Sequence, residues 1–546
     1  AAIRGIRYKP VFILCWCRLR RHGRLPGIPR VEIGKAEPFF DWLIERVKDH
    51  PNLPVWDGEL YLEYHRGTYT SQAQNKRLNR LSEVLYHDAE AFSSFAKALG
   101  RGFSYPREAI NQGWELILLN QFHDILPGSS IREVYEDSRK DYEKITKIGE
   151  EALVGALRHL AENISLKKEA IVVFNSLSWE RSDIAIIPWD PAFEGKRFVD
   201  TEGRKVSYQI IHDPDKKLLL YVENVPSLGY KAVYLEEEET SRHQNEKHIP
   251  CLPQDKGCSI SEFGTSDEAK DELEVTPGML ENRFFIISLN DAGQITSIWD
   301  KLRCREVLAP GARANVLQVF EDKPLRHDAW DIDIFYRDKM WEVTDLVDAK
   351  VEERGPERGV LKFTWRFLGS TITQRITIYR AIPRVDFRTE VDWKGRQLLL
   401  KVAFPVDVRS TKATYEIQFG NVERPTHWNT SWDYARFETC AHKWVDLSEG
   451  NYGVSLLNDC KYGHDVKDNV MRLTLIKSAI MPDPEADKCH HTFVYSLYPH
   501  AEDWYRGGTV REAYSLNYPL RALYLGYGRG SDVNKEASSS CGSSSS

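Results

Sequence analysis

The chain has no apolar run of the roughly 18 residues that a membrane-crossing helix requires. Its clearest apolar cluster, Val11 to Cys17, is short and runs into Arg18, Arg20, Arg21 and Arg24. A secretory leader has the opposite order, with positive charge ahead of the apolar stretch. The chain also lacks a concentrated basic stripe, and its net charge is −7, which argues against a nucleic-acid partner. Cysteine is sparse and scattered: nine residues, of which only Cys15/Cys17 and Cys251/Cys258 lie close together. Neither pair has the spacing and partners of a zinc finger, so the usage reads as reduced and intracellular.

What is present is length and periodicity. At 546 residues the chain is long enough for about three or four domains. Residues 1–36 stand apart: Arg-rich, aperiodic and without an acidic residue before Val31. They read as an atypical segment, as if a glycine-rich run had been translated one base out of frame. A short helix is expected over Glu37 to Asp49, then strand-like runs at Leu53 to Trp56 and Glu59 to Tyr64. Three helical patterns follow between residues 71 and 165. The first repeats Leu78, Leu81, Leu85, Phe92, Phe95 and Leu99 at three- and four-residue steps and closes at Gly100. The second, Arg107 to His123, is apolar on nearly every side and is expected to be buried. The third begins at Ser130, with a capping box to Glu133, and runs to about Asn163. Short connections predict an antiparallel bundle.

From about Ala170 the period falls to two, as in Val385, Phe387, Thr389, Val391 and Trp393. Similar runs at Lys217 to Tyr221, Thr371 to Tyr379 and Met471 to Ile476 predict antiparallel sandwiches through residues 166–530. Residues 236–277 are acidic and polar and read as a mobile insertion; the serine-rich residues 531–546 read as a disordered tail. The fold class is therefore α+β.

Two dense motifs carry chemistry. Asn120 to Ser130, with Phe122-His123-Asp124 before a Pro-Gly turn, places a His-Asp pair at the end of an apolar helix. A side chain there is held by the scaffold yet open to a pocket, which suits a metal ligand or a sugar-binding carboxylate. A buried histidine bonded to a turn carbonyl would leave the same spacing. Trp56 to Gln72 crowds acids, His65, Arg66, Tyr69 and hydroxyls just before the bundle. That mixture suits a polyhydroxyl ligand, and also a capped helix start with a solvated charge cluster.

Taken together, these motifs closely resemble glycoside hydrolase family 38, the zinc-dependent α-mannosidases, in its cytosolic and fungal vacuolar branch. The likeness rests on Gly58 to Gln72, Asn120 to Ser130, Glu321 to Pro324 with Asp328 to Asp333, Phe419 to Phe437, Leu456 to Gly463 and Val510 to Tyr514. It implies the end of an α/β catalytic domain over residues 37–70, then the three-helix middle domain and the β-domains. It implies a retaining glycosidase acting on mannose-containing oligosaccharides, with one zinc ion or cobalt in its place. Retention needs two carboxyl groups about 5–5.5 Å apart.

By the resemblance, His123 matches a zinc ligand and Asp124 a residue that bonds sugar hydroxyls. His65 stands where a related branch has a ring-stacking Trp. Arg66, Tyr69, Trp330, Asp331, Asp459, Lys461 and Tyr462 are candidates for the rim of the sugar site by motif membership. The family's His-x-Asp zinc segment, its nucleophilic Asp and its acid/base loop have no counterpart in this sequence. The resemblance thus implies an inactive fragment of an α-mannosidase, N-terminally truncated and without the last β-domain. The alternative is a catalytically dead carbohydrate-binding or assembly subunit; a homo-oligomer and a place in cytosol or vacuole are further expectations.

Overall fold

A computed structural model describes residues 26–27, 34–212, 214–238 and 273–526. Most of the atypical segment 1–36, the greater part of the expected insertion 236–277 and the expected tail 531–546 lie outside the described residues. The chain divides into two compact units, residues 1–61 and 62–546.

In the first unit the expected helix forms as α1, Ala36–Val47. The two strand-like runs beyond it form no strand. Leu53, Val55, Trp56, Leu60, Leu62 and Tyr64 are all exposed, and no neighbouring strand pairs with the backbone. An alternating sequence without a partner strand is not a stable sheet. The chain instead passes into two single-turn 3₁₀ segments in the second unit, Glu63–His65 and Gly67–Tyr69.

Three helices then form a bundle: α2 (Ala73–Leu99), α3 (Arg107–Asn120) and α4 (Arg132–Glu162). Tyr86, Phe92, Ile110, Ile117, Tyr142, Ile145 and Leu153 fill its centre, together with Val172 and Phe174 from the first strand of the β-region. Tyr86 ties the helices together, its hydroxyl donating to the Ile145 carbonyl at 2.9 Å. Gly113 and Gly149 make room for that ring; a Cβ on Gly113 would lie 1.7 Å from the hydroxyl oxygen.

The second helix differs from expectation in two ways. It ends at Asn120, three residues early, and it is not wholly buried: Leu118, Leu119 and Phe122 are 61%, 56% and 52% exposed. Only its face carrying Ile110, Gly113, Ile117 and Asn120 meets the bundle. The capping box is also absent. The Ser130 hydroxyl donates to the Asp124 carbonyl at 2.6 Å, and the Ser130 amide goes to the Tyr135 hydroxyl at 3.0 Å. Ser130 therefore closes the preceding turn, and α4 starts at Arg132 with no side-chain cap.

The β-region is antiparallel along its ladders. Ala170–Phe174 lies between Tyr230–Glu237 and the late strand Arg521–Leu525, so residues far apart in sequence share a four-stranded sheet. A three-stranded sheet of Arg181–Pro188, Lys216–Val225 and Tyr208–His212 packs over it around Phe193, Phe198, Leu218 and Leu220. The larger core lies among a nine-, a six- and a five-stranded sheet. Phe363, Trp365, Ile372 and Phe387 face Leu400, Val402, Phe404 and Leu473 there, each fully or almost fully buried. The alternating runs read from sequence are these inward-facing positions. Among the described residues no helix is long and apolar enough to cross a membrane.

Gly113→Ala should lower the free energy of unfolding by about 1–3 kcal/mol, the usual cost of overpacking a filled core. Urea titration followed by circular dichroism measures it, and an unchanged midpoint would contradict the close approach at Tyr86.

Candidate functional site

The turn carrying His123 and Asp124 is fixed from below. The Gln121 side chain donates to Asn79 (3.0 Å) and Glu83 (3.2 Å) on α2. Backbone bonds from Ile125 and Leu126 to the Phe122 carbonyl close the loop. Gly128 then adopts φ +90°, and a Cβ there would lie 2.4 Å from the Ser71 carbonyl oxygen, so only glycine fits. Lys76, buried on α2, donates to the Leu126 carbonyl at 2.7 Å and to that of Ser71 at 2.5 Å. Burial pushes its ammonium down to about 7, against the opposing pull of Asp487.

On this fixed base His123 points outward, with its side chain 79% exposed. Its Nε2 is 3.6 Å from an Asp124 carboxylate oxygen, beyond hydrogen-bond reach, and the Phe122 ring lies 4.1 Å away. The other Asp124 oxygen accepts from the Ser129 hydroxyl at 3.0 Å. The imidazole is thus available to an external ligand, while the acid is anchored on one side.

From Arg66 onward the second motif is knitted to the β-region. Arg66 donates from Nε and Nη2 to the Ala435 carbonyl (3.1 and 2.9 Å) and from Nη1 to Asp331 (3.3 Å). Its guanidinium lies 4.5 Å from the centre of the Phe437 ring. Burial raises the Asp331 carboxyl above its usual range, opposed by Arg66. Next to this pair, the Trp330 carbonyl accepts from the amides of Gly67 (2.7 Å) and Thr68 (3.2 Å). Tyr69 is half-buried; His65 is too, and its Nδ1 is buried with no hydrogen-bond partner.

Asp459, Lys461 and Tyr462 spend their polar groups inside the fold. Asp459 exchanges bonds with Val494, its amide donating to the carbonyl and its carboxylate accepting the amide, each at 3.0 Å. Lys461 is buried, donates to the Leu475 carbonyl at 2.6 Å and sits 4.2 Å from the centre of the Phe493 ring. Desolvation lowers its pKa. The Tyr462 hydroxyl accepts from Arg80 Nε at 3.0 Å, which ties α2 to the β-region. Burial pushes that phenol up to about 12.

The structure therefore joins Arg66, Trp330 and Asp331 in one junction, and His123 with Asp124 in one turn. Residues 66–76 link the two: Ser71 donates to the Ala329 carbonyl (2.6 Å), while its own carbonyl shares Lys76 with Leu126. Sequence reading missed Lys76, and it missed Asp487, whose two carboxylate oxygens accept the amides of Gln72 and Ala73 at 2.7 Å each. Little in the local sequence marks these residues, because the Lys76–Leu126 and Asp487–Gln72 pairs lie 50 and more than 400 positions apart. The α2 start does show one clue, a cluster of Ser71 and Gln72 with no acidic residue in the first turn.

A resident zinc ion needs about three protein ligands. Among the described residues no group of three or more His, Cys, Asp and Glu side chains could hold a metal. His123 and Asp124 alone do not fit that requirement.

Comparison with known proteins places these elements. Residues 63–160 match the alpha mannosidase middle domain, and residues 280–485 match the glycosyl hydrolases family 38 C-terminal domain. The chain is 37% identical over 510 residues to human alpha-mannosidase 2C1, covering 93% of this chain and 44% of that protein. It is 34% identical to alpha-mannosidase G of Dictyostelium discoideum (90% and 45% covered) and 32% to alpha-mannosidase of Saccharomyces cerevisiae (90% and 40%). The chain thus spans less than half the length of the curated relatives it matches. In fold it is similar to the crystal structure of an alpha-mannosidase from Enterococcus faecalis, with TM-score 0.70 and 16% identity, covering 94% of this chain and 64% of that one.

The buried Lys76–Asp487 region gives a pH signature. The folded pKa of Lys76 is depressed, so the unfolded chain binds a proton that the fold releases between about 7 and 10.5. Its contribution to stability is present above the unfolded pKa and is lost as pH falls toward 7. Asp487 is raised by burial from 3.8 to about 6, so its contribution is lost as pH rises through that window. Urea unfolding at a series of pH values should show stability rising on the alkaline side, by at most about 1.4 kcal/mol per pH unit from this one proton. Lys76→Met should flatten that rise; an equal slope in both proteins would contradict the burial.

Proposed function

Because the chain belongs to glycosyl hydrolase family 38, we propose that it is the middle and C-terminal part of an α-mannosidase. Such an enzyme removes terminal α-linked mannose from oligosaccharides by a zinc-assisted retaining mechanism. In this reading the stretch of chain present here is catalytically incomplete. The observation that carries the proposal is the exposed imidazole of His123 on a turn locked by Lys76 and Gly128. A ring so placed serves a ligand that arrives from outside the bundle.

The division of labour follows from the residues. His123 supplies one nitrogen toward a metal, and Asp124 supplies a carboxylate oxygen toward sugar hydroxyls. The remaining ligands, the nucleophile and the proton donor would come from polypeptide beyond these domains. One imidazole holds zinc too weakly to retain it, and no covalent glycosyl intermediate forms without a second positioned carboxylate. Arg66 and Asp331 act at one remove in this scheme, by fixing the segment that leads into α2.

The second reading, a subunit that binds sugar or assembles without catalysis, draws on one feature. Leu118, Leu119 and Phe122 are exposed beside His123, and apolar side chains grouped at a candidate site favour burial against another polypeptide. A homo-oligomer, or a complex in the cytosol or vacuole, would provide that cover.

The deciding assay uses an aryl α-mannoside with the purified chain, with and without added zinc or cobalt. We expect no hydrolysis above the buffer rate under any condition. Turnover that depends on added metal and disappears in His123→Ala would refute the incompleteness and leave the family reading intact. Saturable mannose binding without turnover would favour the second reading.

A further inference from the structure

A cleft in the C-terminal β-region is unrelated to the turn at His123. It opens between the loop that follows strand Gly420–Pro425, which contains the short helix Ser431–Ala435, and the strand Gly463–Lys467. Its walls and open mouth together take in about 350 Å³, open solvent included. Arg337, Arg424, Arg436 and Lys467 line it against two acids, Asp433 and Asp465, so four positive charges face two negative ones.

Both acids are already engaged. Asp465 accepts from Lys401 at 2.8 Å and from Arg472 at 3.0 Å. Asp433 caps the short helix, accepting the Thr430 amide at 3.1 Å. Two of the cations, Arg337 and Lys467, are less well satisfied. Arg337 donates from Nε to the Tyr336 hydroxyl at 3.1 Å, but its Nη2 is buried with no hydrogen-bond partner and lies 3.8 Å from Asp465. Lys467 pairs with Asp468 at 2.8 Å, and that carboxylate is 70% exposed, so the pair is a weak surface bridge.

One of the three aromatic residues lining the cleft, Trp428, narrows the ligand class. The Arg337 guanidinium lies 4.3 Å from the centre of the Trp428 ring, and Lys467 Nζ lies 5.3 Å from it. A ring already flanked by two cations is poorly placed to stack on a neutral sugar. The same arrangement holds a guanidinium fork and an ammonium in place with little entropy left to lose, in a pocket of positive potential. Charge-assisted donors of this kind bind the oxygens of a tetrahedral anion.

We propose that this cleft is a binding site for a small oxyanion of the phosphate monoester class, held by Arg337 and Lys467. The proposal is independent of the glycosidase reading. Two sources share that chemistry: inorganic phosphate and a phosphorylated sugar.

Isothermal titration of the whole chain at low salt distinguishes them, with inorganic phosphate, mannose 6-phosphate and neutral mannose as probes. The expected result is saturable binding of at least one phosphate at a stoichiometry of one, weakening as salt is added. Binding of mannose should be independent of the cleft. Lys467→Gln, at the rim, should weaken phosphate roughly tenfold or more, as loss of a charge-assisted donor does. Arg337→Gln should do the same, and circular dichroism reports whether that variant is still folded. Tighter binding of the sugar phosphate than of inorganic phosphate assigns the source to a phosphorylated glycan; equal binding assigns it to phosphate alone. No heat with either anion at roughly 10 mM, or binding unchanged in a folded Lys467→Gln variant, overturns the proposal.

Discussion

The larger unit is held in register by one buried carboxylate. Asp487 reaches from a loop of the β-region to the start of α2 and accepts the first two amides there, one on each oxygen. The opening amides of any helix have no partner within it, and leaving them buried and unpaired costs more than a typical hydrogen bond gains. Gln72 sits in the left-handed region at φ +57° to present its amide, a strained conformation kept by what surrounds it. The carboxylate lies at the positive end of the helix dipole, which offsets part of its desolvation. Desolvation still prevails in its acidity, which is why Asp487 sits well above an ordinary aspartate.

From that contact the neighbouring constraints follow. With α2 started there, Lys76 falls one turn along the helix and can reach only carbonyl oxygens, those of Ser71 and Leu126. Its charge is tolerable because Asp487 is close, and the acid is tolerable because Lys76 and Lys461 are close. The β-region repeats this logic at Lys401, which sits between Glu438 and Asp465, and at Lys477 with Asp322. Buried pairs of this kind add little net stability compared with an apolar core, but breaking one leaves a stranded charge. They restrict how the bundle and the sheets can fit together, and Gly67 shows how tightly, since a Cβ there would lie 2.6 Å from the Lys477 side chain.

Periodicity made the elements legible but not their assembly. The repeat of Leu78, Leu85 and Phe92 gave α2, and the alternation from Val385 to Val391 gave a strand whose odd positions are all buried. The second helix misled because Leu118 and Leu119 are as apolar as Ile117, and composition cannot say which of them meets another surface. The run at Leu53 to Tyr64 misled because an alternating pattern states a readiness to pair and not the presence of a partner. Ser130 misled because its hydroxyl donates to the nearby carbonyl of Asp124 and closes the preceding turn, where a cap would have had it accept a helix amide. Of the candidate residues, His123 could be placed at a Pro-Gly turn from the sequence, but the spacing left a buried ring equally open, and only the structure shows it exposed. The meeting of Arg66 with Asp331 could not be read there, since 265 positions separate them. The middle and C-terminal domain matches were legible for a different reason: whole motifs in the right order carry more information than any spacing within one of them.

The arrangement around His123 has a consequence for how a split site would assemble. A metal site whose ligands come from two parts of a long chain gains affinity only when both parts are docked, because each part alone offers too few donors. Under the proposed reading, the part described here would bring its share already rigid: the turn is closed by backbone bonds, pinned by Lys76 and seated on Ser71 through Gly128. Little conformational entropy remains to be lost on that side when the ligand arrives. The exposed Leu118, Leu119 and Phe122 lie on the same end of α3 as the imidazole. Covering them would release water from apolar surface at the moment the coordination sphere is completed. Docking and metal binding would then favour one another, and the pinned turn would be the element through which that coupling passed.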